Sequence, residues 1–289
     1  MSFPKRLVLS RKGFDSTYGG VPSPIIDGIP IMLPIPEDAA HSEVTLRYDE
    51  IPSPIREYPT YGDILAAIGG RIRNSDKAHL DPDISASHHP GTRQWKPMFG
   101  QCDAAQGLLE KYIGDGDIFL FFGWFREVER RNGGQLRYVG DHMHLIHGWL
   151  QVGCMLDPKV QEPPYTPCDH PHFRAPARNK NTVYVGAERL SFCHLPGAGS
   201  FRKYHPALRL TDPCERNRRS YWRLPSFFYC DDPDGRMTYH VNRKWRNQPP
   251  YSYVCSAPIG QEFVFDLRNC TSEAHQWLAE LLSCADDQD

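Results

Sequence analysis

The sequence lacks the features that would place it in a membrane, secreted or strongly charged class. Its longest apolar run is far too short to span a bilayer, so we expect no transmembrane helix. A formal net charge of −2 over 289 residues gives no overall attraction to nucleic acid or to anionic lipid, so any basic surface has to be local. The nine cysteines form no C-x-x-C pair and no apolar leader precedes them, so we expect reduced thiols in a cytoplasmic protein.

What the chain has in excess is loop-forming residues. Its 26 prolines and 23 glycines predict many ordered loops and modest helix content. Short apolar strands, a bulky run at 117–125 and an amphipathic helix from Ser272 predict an α+β fold. We predict a single α+β domain over residues 1–289, with a large mixed, mostly antiparallel sheet and a few peripheral helices. A proline-rich loop region occupies 157–182.

The segment Lys5–Asp27 joins a short apolar strand to a loop rich in glycine and charge. The guanidinium of Arg11 and the ammonium of Lys12 suit a phosphate group, and Asp15 could orient a ribose hydroxyl or act as a base. Neither the G-K-[ST] of a P-loop nor the dinucleotide pattern G-x-G-x-x-G occurs here. A phosphate-binding loop therefore competes with a surface turn that carries solvated cations.

A second candidate is the segment His79-Leu80-Asp81-Pro82-Asp83. In an extended chain, alternate residues share one side, which places His79, Asp81 and Asp83 where ligands of a divalent metal ion would stand. His79 paired with an aspartate could instead act as an acid or base. The alternative without chemistry is a polar loop with a turn fixed by Pro82.

Histidines and tryptophans of the central strands are more ambiguous. His142 and His144 alternate on one strand face and could bind zinc, although histidines on a half-solvated sheet face are commoner. Trp124 and Trp149 could stack a base or a sugar, or belong to the core. The C-x-H-x-H segment at 168–172 shows no evident fourth ligand and lacks the spacing of a zinc finger, so we interpret it as a polar loop.

Two basic clusters are interleaved with aromatic residues, which is the composition of a nucleic-acid surface. Acidic residues at 231–234 favour a solvated face instead. The clusters comprise Arg216, Arg218, Arg219, Arg223, Arg243, Lys244 and Arg246, with Tyr221, Trp222 and Trp245.

Several segments together resemble the third type of nucleotide modification associated domain, a little-characterised family of phages and bacteria. The resemblance covers nearly the whole chain. The residues that carry it are Ser10–Asp15, Gly20-x-Pro22-Ser23-Pro24-Ile25, Ile31–Pro36, His79-x-Asp81-Pro82-Asp83, Phe99-Gly100-Gln101, Gly116–Arg126 and His147–Val152. It implies a role in making or handling modified nucleotides or DNA bases, and it supplies no established catalytic residues.

The first hypothesis is therefore an enzyme that modifies a phosphate-bearing nucleotide or DNA base. Arg11 and Lys12 would bind phosphate, Asp15 and His79 would serve as acid, base or ligand, and Asp81 with Asp83 would hold a divalent metal ion or orient His79. Gln101 would read a base edge, and Arg126 would stabilise developing negative charge.

The alternative hypothesis is a non-catalytic module that binds nucleic acid or a modified base, with Trp124 and Trp149 stacking on it. A scaffold whose loops serve packing is a third possibility. The enzyme hypothesis requires that Arg11, Asp15, His79, Asp81 and Gln101 meet in one pocket. The sequence leaves the oligomeric state open.

Overall fold

A computed structural model describes residues 3–37, 43–216, 218–229, 237–238, 245–256 and 262–286. Within them the fold is α+β, as predicted, with strands far outnumbering helices. The four α-helices are α1 (Tyr61–Ile68), α2 (Asp103–Leu109), α3 (Pro171–Arg174) and α4 (Thr271–Asp286). None of the helices in these ranges is long and apolar enough to cross a membrane.

The strands are short, apart from two long central ones. Those of the first half are β1 (Arg6–Arg11), β2 (Ser23–Ile26), β3 (Ile29–Pro30), β4 (Ile35–Pro36), β5 (Pro52–Ile55), β6 (Tyr58–Thr60), β7 (Ala78–His79), β8 (Met98–Gln101) and β9 (Ile118–Arg130). Those of the second half are β10 (Leu136–Tyr138), β11 (Met143–Leu156), β12 (Thr182–Gly186), β13 (Ala198–Ser200), β14 (Tyr221–Pro225), β15 (Met237–Thr238), β16 (Trp245–Gln248), β17 (Tyr251–Cys255) and β18 (Glu262–Asp266).

Eleven of the described strands form one mixed sheet, whose main path runs β15-β18-β1-β9-β11-β12-β8. The pairs β1–β9 and β2–β9 are parallel, and the other pairs of this sheet are antiparallel. This confirms the predicted mixed, mostly antiparallel sheet. Three smaller sheets join β14-β17-β16, β4-β7 and β5-β6.

The long strands β9 and β11 form the centre of the sheet because their side chains are apolar on both faces. The first eight residues of β9 and the first ten of β11 are buried. The register of β11 against β9 shifts between Ile146 and Gly148, so the strand has an irregularity at His147.

The helix α1 shows how a helix begins in this fold, and α4 shows how a helix packs against the central strands. α1 begins with a capping box in which Thr60 and Asp63 bond each other's backbone. α4 buries Ala274, Leu278, Leu281 and Leu282 against a core cluster that also contains Trp222.

Candidate functional site

A cleft of about 700 Å³ opens where β1 ends. Six of the residues singled out from the sequence line it: Arg11, Lys12, Asp15, His79, Asp81 and Gln101. Its wall is completed by residues of other segments, among them Glu37, His172 and Arg178. The convergence required by the enzyme hypothesis is therefore present in the fold.

The loop after β1 is held close to the central strand. The amide of Lys12 donates to the carbonyl of Phe122 over 2.8 Å. Gly13 has a φ of +79° and lies so close to the carbonyl of Leu33 that a Cβ atom would approach it to 3.0 Å. Both the backbone angle and the close approach favour glycine at this turn.

Arg11, the last residue of β1, is buried where this loop begins, with 6% of its surface exposed. Burial lowers the pKa of its guanidinium to about 10, while the nearby Asp15 carboxylate opposes the shift. The side chain therefore remains a cation at neutral pH, and it has been removed from most of its solvent. A desolvated guanidinium is a strong partner for a carboxylate or a phosphate.

Asp15 stabilises the loop itself. Its Oδ1 accepts hydrogen bonds from the amides of Thr17 and Tyr18, each over 2.7 Å. A turn of this kind, in which a side-chain oxygen accepts hydrogen bonds from the backbone amides that follow it, is common for aspartate. The carboxylate also lines the cleft. Its contacts show that it stabilises the turn, and its role as a base or as a partner of a ribose hydroxyl stays a prediction.

Lys12 and Gln101 both contact Glu262, a buried carboxylate on β18. Gln101 Nε2 donates to Oε1 of Glu262 over 2.7 Å, and Ser10 donates to the same oxygen over 3.0 Å. Lys12 Nζ lies 3.7 Å from that oxygen and 4.3 Å from the ring centroid of Phe99. Burial raises the pKa of Glu262 to about 7, although Lys12 and the two hydrogen bonds lower it.

His79, Asp81 and His172 form the most concentrated group of ligand-type atoms among the described residues. One nitrogen or carboxylate oxygen from each lies within 4.8 Å of the others, and all three side chains are buried. His172 Nε2 stands 3.9 Å from Asp81 Oδ2. Two imidazoles and a carboxylate are a common ligand set for zinc and for non-haem iron.

Each of the three side chains is fixed by a neighbour on its outer side. Glu37 Oε2 contacts His79 Nδ1 at 2.7 Å, and Asn181 Oδ1 contacts His172 Nδ1 at 2.5 Å. The amide of Gly100 donates to Asp81 Oδ1 over 2.7 Å. With Nδ1 engaged in each histidine, Nε2 is directed away from that partner. This is the outer-shell arrangement typical of metal-binding histidines.

The charge states of the group suit a cation. Burial lowers the pKa of His172 to about 3, so its imidazole is neutral at pH 7 and keeps a lone pair for a ligand bond. Burial by itself raises the pKa of the Asp81 carboxyl, yet the contact with His170 and the charge of Lys12 bring it below its ordinary range. His170 Nε2 lies 3.3 Å from Asp81 Oδ1.

Asp83, predicted as a second metal ligand, lies outside the cleft. Its carboxylate contacts His89 Nε2 at 2.7 Å and accepts a hydrogen bond from Trp95 Nε1 over 3.2 Å. Asp81 and Asp83 thus belong to different side-chain groups. The alternation used to place them together fails because their backbone is not a regular strand beyond His79.

The remaining predicted residues also lie apart from the cleft. Arg126 is bonded through Nε to the carbonyl of Gly140 over 3.0 Å. Trp149 is buried, donates to the carbonyl of Pro196 and packs on Phe201. Trp124 donates to His142 over 2.9 Å.

Four site residues are new: Glu37, His172, Arg178 and Glu262. The C-x-H-x-H segment at 168–172 is a signal for His172, although without an evident fourth ligand it indicates only a polar loop. The other ligand-type residues come from 79–81, and only the fold brings the segments together. Glu262 belongs to no local sequence motif.

Comparison with known proteins adds one match. The family model described as nucleotide modification associated domain 3 matches residues 6–266. No curated protein and no solved structure gives a significant match to the chain.

Proposed function

Because the chain belongs to the nucleotide modification associated domain 3 family, we propose that its cleft binds and modifies a phosphate-bearing nucleotide with the help of a divalent metal ion. The observation that carries this proposal is the meeting of a buried cation, Arg11, with the His79–Asp81–His172 group in one cleft. Small-molecule sites commonly enclose roughly 300–1,000 Å³, and a nucleotide fits this range. The cleft falls within it at about 700 Å³.

Arg11 and Arg178 are the cations best placed to bind phosphate. Arg11 is desolvated, and Arg178 retains a partly exposed guanidinium 3.5 Å from Glu37. Lys12 contributes positive charge, but its ammonium is directed toward Glu262 and Phe99. The guanidinium fork matches phosphate oxygens in two-point contacts, which also fixes the orientation of the ligand.

His79, Asp81 and His172 fit a divalent ion by donor type and by their outer partners. A three-ligand set leaves coordination positions for water or substrate, as in catalytic rather than purely structural sites. When bound, such an ion polarises a phosphoryl or carbonyl oxygen or lowers the pKa of water. Its positive charge would also offset the carboxylates of Asp15, Glu37 and Asp81 on the cleft wall.

Glu262 acts as a positioning residue in this proposal. It holds Gln101 and Lys12 together from β18, and its pKa of about 7 lets it change protonation state near neutral pH. Gln101 lines the cleft and is held by Glu262, and in this proposal its amide contacts a base edge.

Matched pairs of variants test the proposal. Protein purified without added metal is stripped with a chelator and reloaded with Zn²⁺, Mn²⁺ or Fe²⁺ under anaerobic conditions, and bound metal is measured by elemental analysis. We expect about one ion per chain in wild type and in Asp83→Asn, and none in Asp81→Asn. Equal metal content in Asp81→Asn and Asp83→Asn would overturn the metal centre.

Nucleotide binding is measured by calorimetry with the four 2′-deoxynucleoside 5′-monophosphates. Losing one charged hydrogen-bond partner costs about 1.5–3 kcal/mol, so Arg11→Gln should weaken binding by roughly tenfold or more. The control is Arg126→Gln, a half-buried arginine of β9 that bonds the carbonyl of Gly140 outside the cleft, and this variant should bind as wild type does. Equal affinities of the two variants, or no binding by wild type, would reject the phosphate site.

A further inference from the structure

The three-stranded sheet β14-β17-β16 has one buried and one outward face. Trp222, Leu224, Ser252 and Val254 alternate inward and are buried. Antiparallel register pairs Arg223 with Tyr253 and Tyr253 with Arg246, so these three side chains stand in one row across the outer face.

The outer face consists of tyrosines and arginines in mutual contact. We call it the tyrosine–arginine face and define it by Tyr221, Arg223, Arg246, Tyr251 and Tyr253. The guanidinium carbon of Arg223 lies 4.6 Å from the ring centroid of Tyr251, and that of Arg246 lies 4.6 Å from the ring centroid of Tyr253. Tyr221 and Tyr253 are stacked with centroids 6.2 Å apart.

The surroundings of this face are predominantly basic within the described residues. Arg216 and Arg218 are exposed beside it, and Arg218 lies over the ring of Tyr221 at 5.2 Å. Two carboxylates face these cations. Glu215 pairs with Arg218 at 2.7 Å, and Asp212 lies 3.9 Å from Arg223. Among the described residues, positive charge therefore remains in excess here, on a protein whose net charge is −2. Arg243, Lys244 and the acidic residues at 231–234 lie outside the described part of the chain.

Arg219 connects this face to the loop that lines the cleft. Its guanidinium carbon lies 4.1 Å from the ring centroid of Trp124, and its NH2 group donates to the hydroxyl of Ser16 over 2.7 Å. Ser16 stands between Asp15 and Thr17, both of which line the cleft. Arg219 thus stands between the tyrosine–arginine face and the mouth of the candidate active site.

We propose that the tyrosine–arginine face binds a single-stranded polynucleotide and leads it to the cleft past Arg219, whose guanidinium covers the buried ring of Trp124. Arginines on an open sheet face neutralise phosphates, and exposed aromatic rings stack on bases without regard to sequence. Ring faces reach bases only when these are unpaired, so a single strand is the ligand and a duplex is not. This inference rests on the proposed function of the cleft. It adds that the substrate is a nucleotide within a polynucleotide strand.

Fluorescence anisotropy with a labelled 20-nucleotide oligo-dT strand tests the face, using the full chain. We expect Tyr253→Ala to weaken binding about tenfold, as removal of one stacking ring does in other proteins. Tyr253→Phe keeps the ring and should bind as wild type does. Arg223→Gln combined with Arg246→Gln should lower the slope of log affinity against log salt by about two, one for each lost phosphate contact.

Arg137→Gln is the matched control, because Arg137 is an exposed arginine on β10, outside the face. It should leave both affinity and salt slope unchanged. Equal binding by wild type, Tyr253→Ala and the double arginine variant would overturn the proposal, as would equal affinity for a duplex of the same length.

Mononucleotide binding separates this inference from the proposed function. The face variants should bind 2′-deoxynucleoside 5′-monophosphates as wild type does, whereas Arg11→Gln should not. If the strand binds normally to all face variants but poorly to Arg11→Gln, the face proposal fails and the cleft proposal stands. If the face variants lose the strand and Arg11→Gln retains mononucleotides, the face is supported and the cleft proposal fails.

Discussion

Gln101 and Glu262 are joined by a hydrogen bond of 2.7 Å although 161 positions separate them in the chain. They lie on β8 and β18, between which the sheet path places β1, β9, β11 and β12. In a flat sheet, five strand spacings of about 4.8 Å would hold these two strands roughly 24 Å apart. The sheet is therefore strongly curled, and this curl forms the cleft.

The interior of the curl is filled by aromatic rings. Phe99 of β8 contacts Phe119 and Phe121 of β9 at centroid distances of 5.0 and 5.1 Å. Burial of these rings draws β8 toward the centre of the sheet. Gln101 follows Phe99 on the same strand and is carried to the site by that packing.

Glu262 should make stability depend on pH. Its pKa rises from 4.5 to about 7 on folding, mainly by burial, so the folded chain binds more protons than the unfolded chain between these values. The free energy of unfolding should then fall as pH rises through this window, by about 3 kcal/mol in total. Glu262→Gln should abolish this contribution, as measured by urea unfolding from pH 4.5 to 8.

The exposed Glu273 of α4 provides the control for that experiment. Glu273→Gln should retain the wild-type dependence on pH, while the curve for Glu262→Gln should diverge from it above pH 4.5. Parallel curves for the two variants would show that the Glu262 carboxyl is not protonated at mildly acidic pH in the folded protein.

Gly100 should be intolerant of any side chain. A Cβ atom there would lie 2.1 Å from Cδ2 of His172, so the imidazole would have to move away from Asp81. Overpacking of this kind costs about 1–3 kcal/mol, and we expect Gly100→Ala to lower the melting temperature and to lose bound metal. Thermal unfolding and elemental analysis measure the two effects.

Gly114→Ala is the matched substitution, since no atom lies within 4 Å of a Cβ built at that position. It should change neither the melting temperature nor the metal content. A Gly100→Ala protein with wild-type stability and metal would contradict the packing of His172 against β8.

Trp149 should affect stability and not ligand binding. Its Nε1 donates to the carbonyl of Pro196 over 3.0 Å, and Trp149→Phe would leave that carbonyl without its donor. We expect a loss of about 1–3 kcal/mol in the free energy of unfolding, measured with urea. Affinity for oligo-dT should stay unchanged.

Trp124 offers the contrast, because it lies under Arg219 on the path from the tyrosine–arginine face to the cleft. Trp124→Ala should weaken binding of oligo-dT. If Trp149→Phe reduced the affinity for oligo-dT more than Trp124→Ala did, the ligand would lie on the other side of the sheet and the assignment would be wrong.

Local sequence signals determined much of the fold. The bulky apolar run at 117–125 predicts a buried strand, and the amphipathic pattern from Ser272 predicts α4, because both patterns arise among residues that are close in the chain. The charged loop after Leu9 likewise stood out by composition. Its Arg11 and Lys12 line the cleft with Gln101.

Only the tertiary structure decided which distant side chains share the site. The curl of the sheet brought Glu262 to Gln101, and the packing of His172 against Gly100 brought that ring to Asp81, while Asp83 faced another group. Contacts between such distant residues follow from the order of the strands and from the volume of the buried rings. Neither property produces a periodic pattern in the sequence near the residues concerned. Local sequence patterns therefore specify the strands, the helices and one wall of the cleft, whereas the fold specifies the set of ligand-type side chains.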